Sequence, residues 1–240
     1  MRAGVMSAGW WGADETREPV REHASPQRRT FISTGKWNPE RFAREQIRRL
    51  VGQVFRAGAQ ATRQVVFSAV DLETDVDVIC IRVAEVLAME TQSDVAIVGT
   101  RSNITGEAEE FQGRADRLPK SGSKLMRETG IQRGRNLWLL PATEAENIDG
   151  SAASLQAYLQ EIRREFEYSI VQGPAAGESN GAMAMAQWAD GMILVVSAQR
   201  TRRAAALKVK QALDDAHVRL LGAVLSDREF PIPEGVYRRL

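Results

Sequence analysis

The sequence predicts an α/β domain of three layers, αβα, built on a mostly parallel sheet. Two observations carry this. Its strand candidates are apolar throughout, as in Val65-Val66-Phe67-Ser68-Ala69 and Met192-Ile193-Leu194-Val195-Val196, and they alternate with segments of helical periodicity. Right-handed crossovers then place helices on both faces of one sheet. With 240 residues, 43% of them hydrophobic, the chain is long enough for one sizeable core.

Residues 1–37 mix Gly, Pro, Ser and Arg with isolated Trp10, Trp11 and Trp37 and show no sustained period. They are expected to form a flexible arm or docking tail, leaving 38–240 as a single domain. Asn38-Pro39 supplies a cap and a first helical residue, and Ile47, Leu50, Val51, Val54 and Phe55 mark the buried face of the helix that follows. Arg41, Arg44, Arg48 and Arg49 fall mainly on its other side. The first strand, Val65 to Ala69, leads through a turn into an apolar helix over Val78 to Met89. Val95 to Val98 is a second strand ending at Gly99-Thr100. The polar stretch from Arg101 to Arg135 reads as long surface connections with one short helix, and Leu137 to Leu140 is a third strand stopped by Pro141. Leu155, Tyr158, Leu159, Ile162 and Phe166 mark an amphipathic helix. Strand Tyr168 to Val171, a short helix ending near Trp188, strand Met192 to Val196, a helix from Thr201 to Ala216 and strand Leu220 to Leu225 complete the order.

Ligands of parallel sheets bind outside the carboxyl ends of the strands, and Gly99, Gln172 and the turn Val70-Asp71-Leu72-Glu73-Thr74-Asp75-Val76-Asp77 all belong to that edge. A phosphate-binding turn needs glycines whose N–H groups wrap the phosphates, a lysine, and a Ser/Thr for magnesium. This turn has no glycine, no lysine and four carboxylates. One carboxylate about 6 Å from a phosphate charge, at an effective dielectric of about 20, is repelled by roughly 3 kcal/mol. The same carboxylates can cap the following helix themselves. Their alternation is also that of a calcium loop, but the sixth and twelfth positions are Val76 and Arg82 rather than Gly and Glu, so no metal site is expected.

A net charge of +1 gives no electrostatic case for nucleic acid. Cys80, the single cysteine, sits among apolar residues and reads as a buried, inert thiol, which suits a reducing cytoplasm. No apolar run is long enough to span a bilayer, and no export signal is recognisable. His23 and His217 lack metal-ligand company, and Arg200, Arg202 and Arg203 open a helix as a solvated or anion-facing group.

Over residues 40–240 the segments resemble the cytoplasmic domain of bacterial tyrosine autokinases of capsule and exopolysaccharide biosynthesis, relatives of the MinD and ParA-like P-loop ATPases. The likeness rests on Glu45-Gln46-Ile47-Arg48, similar to the start of a subunit-contact motif, and on Leu137-Trp138-Leu139-Leu140-Pro141-Ala142, Phe166 to Val171, Ala189 to Val196 and Leu221 to Leu225 in the correct order. The resemblance implies a P-loop NTPase fold, with ATP and magnesium as the family's cofactors and Glu45 and Arg48 at an interface between copies. It also implies what is missing. The family's phosphate-loop glycines and lysine correspond to Leu72 through Asp77, covering Glu73, Thr74, Asp75 and Val76. Its magnesium-linked Asp corresponds to Gly99, a second Asp to Gln172, and its adenine-contacting Asn to Ser226. Val51 replaces an interface arginine, and Tyr237 stands alone where a tyrosine cluster belongs. Phosphoryl transfer depends on positioned phosphates and metal-borne charge. The expectation is therefore a non-catalytic pseudo-ATPase without a cofactor, acting through a membrane polysaccharide co-polymerase, an active homologue or its own copies. It would be cytoplasmic, reaching the inner face of the membrane through a partner. The alternatives are an active autokinase with relocated nucleotide contacts and a MinD-like positioning module.

Overall fold

The structure, a computed structural model, describes residues 4–6, 39–56, 62–99, 126–140 and 152–227. Strand β1 (Gly4–Met6) precedes helix α1 (Pro39–Val51), which widens into a π-helical turn over Gly52–Arg56. Then follow β2 (Gln64–Ala69), α2 (Asp77–Thr91), β3 (Val95–Val98), the short α3 (Met126–Thr129), β4 (Ile131–Gly134), β5 (Leu137–Leu140), α4 (Ala152–Glu165), β6 (Tyr168–Gln172), α5 (Gly181–Trp188), β7 (Gly191–Ser197), α6 (Arg203–Asp215) and β8 (Leu220–Ser226).

All the strands lie in one sheet of order β1-β8-β7-β2-β6-β3-β5-β4. The six inner strands run parallel, and β1 and β4 close the two edges antiparallel. Alternate residues of each strand feed opposite cores, because the pleat has a period of two. Val65, Phe67, Ile97, Ile170, Ile193 and Val195 pack under α1 and α2. Val66, Val98, Val171, Met192 and Leu194 pack under α4, α5 and α6. This is the three-layer α/β arrangement that the alternating strands and helices predict.

Two strands depart from the sequence reading. Gly4–Met6, inside the segment expected to be a flexible arm, instead pair with β8. Ile131–Gly134, expected to be connection, pair with β5 through an irregular register. Both are edge strands of three or four residues, too short to show a period in sequence. The rest of the expected arm, the segment Pro119 to Lys124, and Tyr237 lie outside the described residues. No helix among the described residues is long and apolar enough to cross a membrane.

The amino end of the parallel sheet is tied by ionic contacts. The Asp190 carboxylate accepts from the backbone N–H groups of Arg63 (2.7 Å) and Gln64 (2.9 Å) and from the Arg163 guanidinium (2.8 Å). Arg127 donates to Asp94 and to the Glu165 carbonyl while lying 4.7 Å from the centre of the Trp138 ring. Glu165 in turn accepts from the backbone N–H groups of Met126 and Arg127 and so fixes the start of α3.

Candidate functional site

The carboxyl end carries the turn between β2 and α2. Ala69 leaves the sheet on the α2 side, and Val70 N–H still reaches the Val195 carbonyl (3.2 Å), so the turn starts from a fixed anchor. A second anchor is the loop after β6. Ala176 N–H donates to the Ala69 carbonyl (2.8 Å) and Gly177 N–H to the Val70 carbonyl (3.1 Å). A Cβ on Gly177 would stand 2.3 Å from the Val70 oxygen, so this close approach admits only glycine.

The four carboxylates of the turn diverge, each to its own partner. Asp71 accepts from the Thr74 hydroxyl (2.6 Å) on one oxygen and from the Thr201 hydroxyl (2.5 Å) on the other. Thr201 Oγ1 accepts in turn from the Ser197 N–H at 3.0 Å, which ties the turn to the end of β7. Glu73 lies 3.8 Å from the Arg200 guanidinium, which also donates to the Glu73 carbonyl. Asp75 accepts from the Asp77 N–H (2.9 Å) and is the carboxylate that caps α2. Asp77 accepts from the Gln172 side-chain amide. Self-capping by all four carboxylates is thus corrected to capping by Asp75, because tertiary partners reach the others first. Val76 occupies the N-cap position itself and is buried.

Burial pushes the Asp77 carboxyl above its usual range. The Gln172 amide pulls the other way, and the Asp75 charge adds to the rise. Beneath it the Cys80 thiol, fully buried, is raised by that burial and by Asp77 and Asp75, so it stays protonated and unreactive.

Gly99 and Gln172 sit together at the ends of the neighbouring strands β3 and β6. Gly99 has φ +98°, and a Cβ there would lie 2.8 Å from the Gln172 carbonyl oxygen. A carboxylate side chain at this position therefore requires the backbone to move. Gln172 Oε1 and Ser197 Oγ are buried without a hydrogen-bond partner. Ser226 ends β8 opposite Ser197, its hydroxyl turned to the Val196 carbonyl at 3.4 Å. Glu45 and Arg48 lie elsewhere, on the exposed side of α1, where Glu45 pairs with Arg49 (3.5 Å) and Arg48 with Glu90 of α2 (3.7 Å).

These residues do not fit a magnesium nucleotide. Asp71 opens the turn with both oxygens bonded within the chain, Asp77 begins α2 with one oxygen accepting from Gln172, and the positions expected to help bind the metal are a glycine at positive φ and an amide. Among the described residues no group of three or more His, Cys, Asp or Glu side chains is arranged to hold a metal ion. Arg200 and Thr201 were the partners that sequence reasoning missed. They lie about 130 residues from the turn, and only the adjacency of β7 to β2 brings them near it.

No family model matches the sequence, and no curated protein does. Solved structures do match the fold. The kinase domain of Escherichia coli tyrosine kinase ETK superposes with a TM-score of 0.60 at 14% identity, covering 80% of this chain and 79% of that one. The chimerical protein CapA2B2 gives 0.59 at 15% identity, covering 75% and 83%. The MinD cell division protein of Aquifex aeolicus gives 0.50 at 18% identity, covering 74% and 72%. The fold is therefore that of the tyrosine kinase domains and MinD-type ATPases, as the sequence resemblance implied.

Proposed function

We propose that this chain is a non-catalytic pseudo-ATPase that works as an interaction or regulatory protein in exopolysaccharide or capsule biosynthesis. The observation that carries the reading is the hydrogen bond between Gln172 and Asp77. Where the fold's kinases are expected to place a carboxylate at 172 and phosphate-loop glycines and a lysine within Leu72–Asp77, this chain has an amide and, at the end of that stretch, a carboxylate that satisfy each other. An aspartate at 172 would face Asp77 as a second half-buried charge; glutamine donates instead. The pair forms a self-contained contact within the chain.

The Asp71, Thr74 and Thr201 bonds support the same reading, since they hold the turn in one shape with its carboxylates engaged within the chain. Removal of positioned cationic and metal-binding groups takes away the main source of phosphoryl-transfer catalysis. What remains is a scaffold with exposed surfaces. The pathway follows from the sequence resemblance. The partner would be a membrane polysaccharide co-polymerase or an active homologue, met from the cytoplasmic side, with Glu45 and Arg48 contributing to assembly.

Calorimetry with ATP and ADP, with and without magnesium, tests the loss of the nucleotide site. No heat is expected up to millimolar nucleotide. A variant with glycines and a lysine built into Leu72–Asp77 serves as the comparison. Micromolar binding by the unaltered chain would overturn the reading. Charge reversal at both Glu45 and Arg48 separately tests the interface, and unchanged self-association and partner capture would remove those residues from it.

A further inference from the structure

Strand β1 is an edge element that is poorly matched to the edge it covers. It contributes three ladder pairs, Gly4 with Leu225, Val5 with Val224 and Met6 with Ala223, while β8 is seven residues long. Leu220, Leu221 and Gly222 have no partner in that ladder. The β8 sequence Leu-Leu-Gly-Ala-Val-Leu-Ser contains no charge and no proline, the residues with which exposed edges normally discourage pairing with another chain. At this edge β1 takes their place.

The covering strand is also far in sequence from the next described element. Residues 7–38, 32 in number, separate Met6 from Pro39 of α1. The greatest span 32 residues can bridge is about 100 Å, more than the width of a domain of this size, roughly 45 Å. It therefore sets no limit that confines β1 to its own sheet.

We propose that β1 is exchanged between copies: the N-terminal strand of one chain seats on the β8 edge of a second copy, in the register it adopts on its own. Every ladder contact is preserved in the exchange, so the closed monomer and the exchanged pair differ in tether entropy and concentration rather than in bonding. Three ladder pairs and the neighbouring α1 are what hold β1, against two neighbouring strands and two covered faces for each inner strand, so its release has a lower free-energy threshold than theirs. The inference does not depend on the function proposed above, since it concerns the opposite side of β7 from the β2 turn.

Cysteine pairing distinguishes the two arrangements. Cys80 is fully buried, so introduced thiols do not compete with it. A full-length chain carrying both Val5→Cys and Val224→Cys reports whether β1 seats on β8, because directly opposed residues bring their Cβ atoms within disulfide reach. Mixing a chain carrying only Val5→Cys with one carrying only Val224→Cys makes an internal bond impossible, so a covalent heterodimer requires exchange. Met6→Cys with Ala223→Cys provides the same test should Val224→Cys disturb the core.

Under mild oxidation the mixed chains should give a heterodimer that increases with protein concentration. It should exceed by about tenfold the product of Val5→Cys with Glu178→Cys, an exposed position in the loop after β6, three strands from β8, as expected when a templated encounter replaces random collision. Adding Val5→Pro to the Met6→Cys chain should abolish the excess by blocking β1 pairing. Internal closure of the double variant with no heterodimer above the control would show a captive strand and overturn the proposal. Failure of both the double variant and the mixture to crosslink would overturn it too, by removing β1 from β8.

Discussion

Two aspartates illustrate how position in the fold decides what a carboxylate does for stability. Burial acts to raise Asp190, but the Gln64 and Arg63 N–H groups and the Arg163 guanidinium outweigh it and hold the carboxyl below its usual range. A depressed carboxyl contributes stability above its unfolded value of about 3.9, and that contribution is lost as pH falls through the lower folded value. Asp190→Asn should therefore destabilise the chain by about 1–3 kcal/mol near neutral pH, with the deficit shrinking in acid. Asp77 has the opposite sign. Its carboxyl is raised, so its ionised form opposes folding above the folded value, and that penalty is relieved as pH falls toward the unfolded one. Asp77→Asn retains an oxygen to accept from Gln172 and should be neutral or stabilising by up to about 1 kcal/mol near neutral pH, converging on the parent in acid. Urea unfolding of both variants at neutral and low pH measures this. Marked destabilisation by Asp77→Asn at neutral pH would mean that the charge itself is needed in the turn.

Elements were legible where they carry many apolar residues. Val65 to Ala69 and Met192 to Val196 are buried almost continuously, and hydrophobic runs of that kind announce parallel strands. Strand β4 was not legible, because three of its four residues are exposed and its partner lies immediately after a tight turn. The site was half legible. Its acidic composition can be read directly, but its shape depends on how the loop 173–180 and Arg200 and Thr201, just before α6, close against it. Gly177 is the contact point of that closure. Gly177→Ala puts a methyl where the Val70 oxygen stands and should destabilise by about 1–3 kcal/mol, the range for overpacking a rigid contact. Gly134→Ala, whose new Cβ would meet nothing closer than Leu137 Cβ at 3.7 Å, is the control and should cost much less. Equal midpoints for the two variants in urea would show that the loop is not held against the turn.

At the scale of the molecule, the sheet has a graded stability that follows from its order. Strands β2, β6 and β7 occupy the middle, covered on one face by α1 and α2 and on the other by α4, α5 and α6, with nearly every side chain out of solvent. Their amides are released only when both cores open. The amino end is braced by Asp190, Arg63 and Arg127, whereas the carboxyl end rests on the Asp71 and Asp77 contacts. The edges differ again: β4 is largely exposed, and β1 is held by three pairs. Amide hydrogen exchange should therefore show β2, β6 and β7 exchanging at the global unfolding limit, and β1 and β4 faster by at least about a hundredfold, equivalent to openings some 3 kcal/mol below global unfolding. Protection of Val5 and Met6 equal to that of Ile193 and Leu194 would make β1 an integral strand. In that case its release would need the whole sheet to open, and exchange between folded copies would be ruled out.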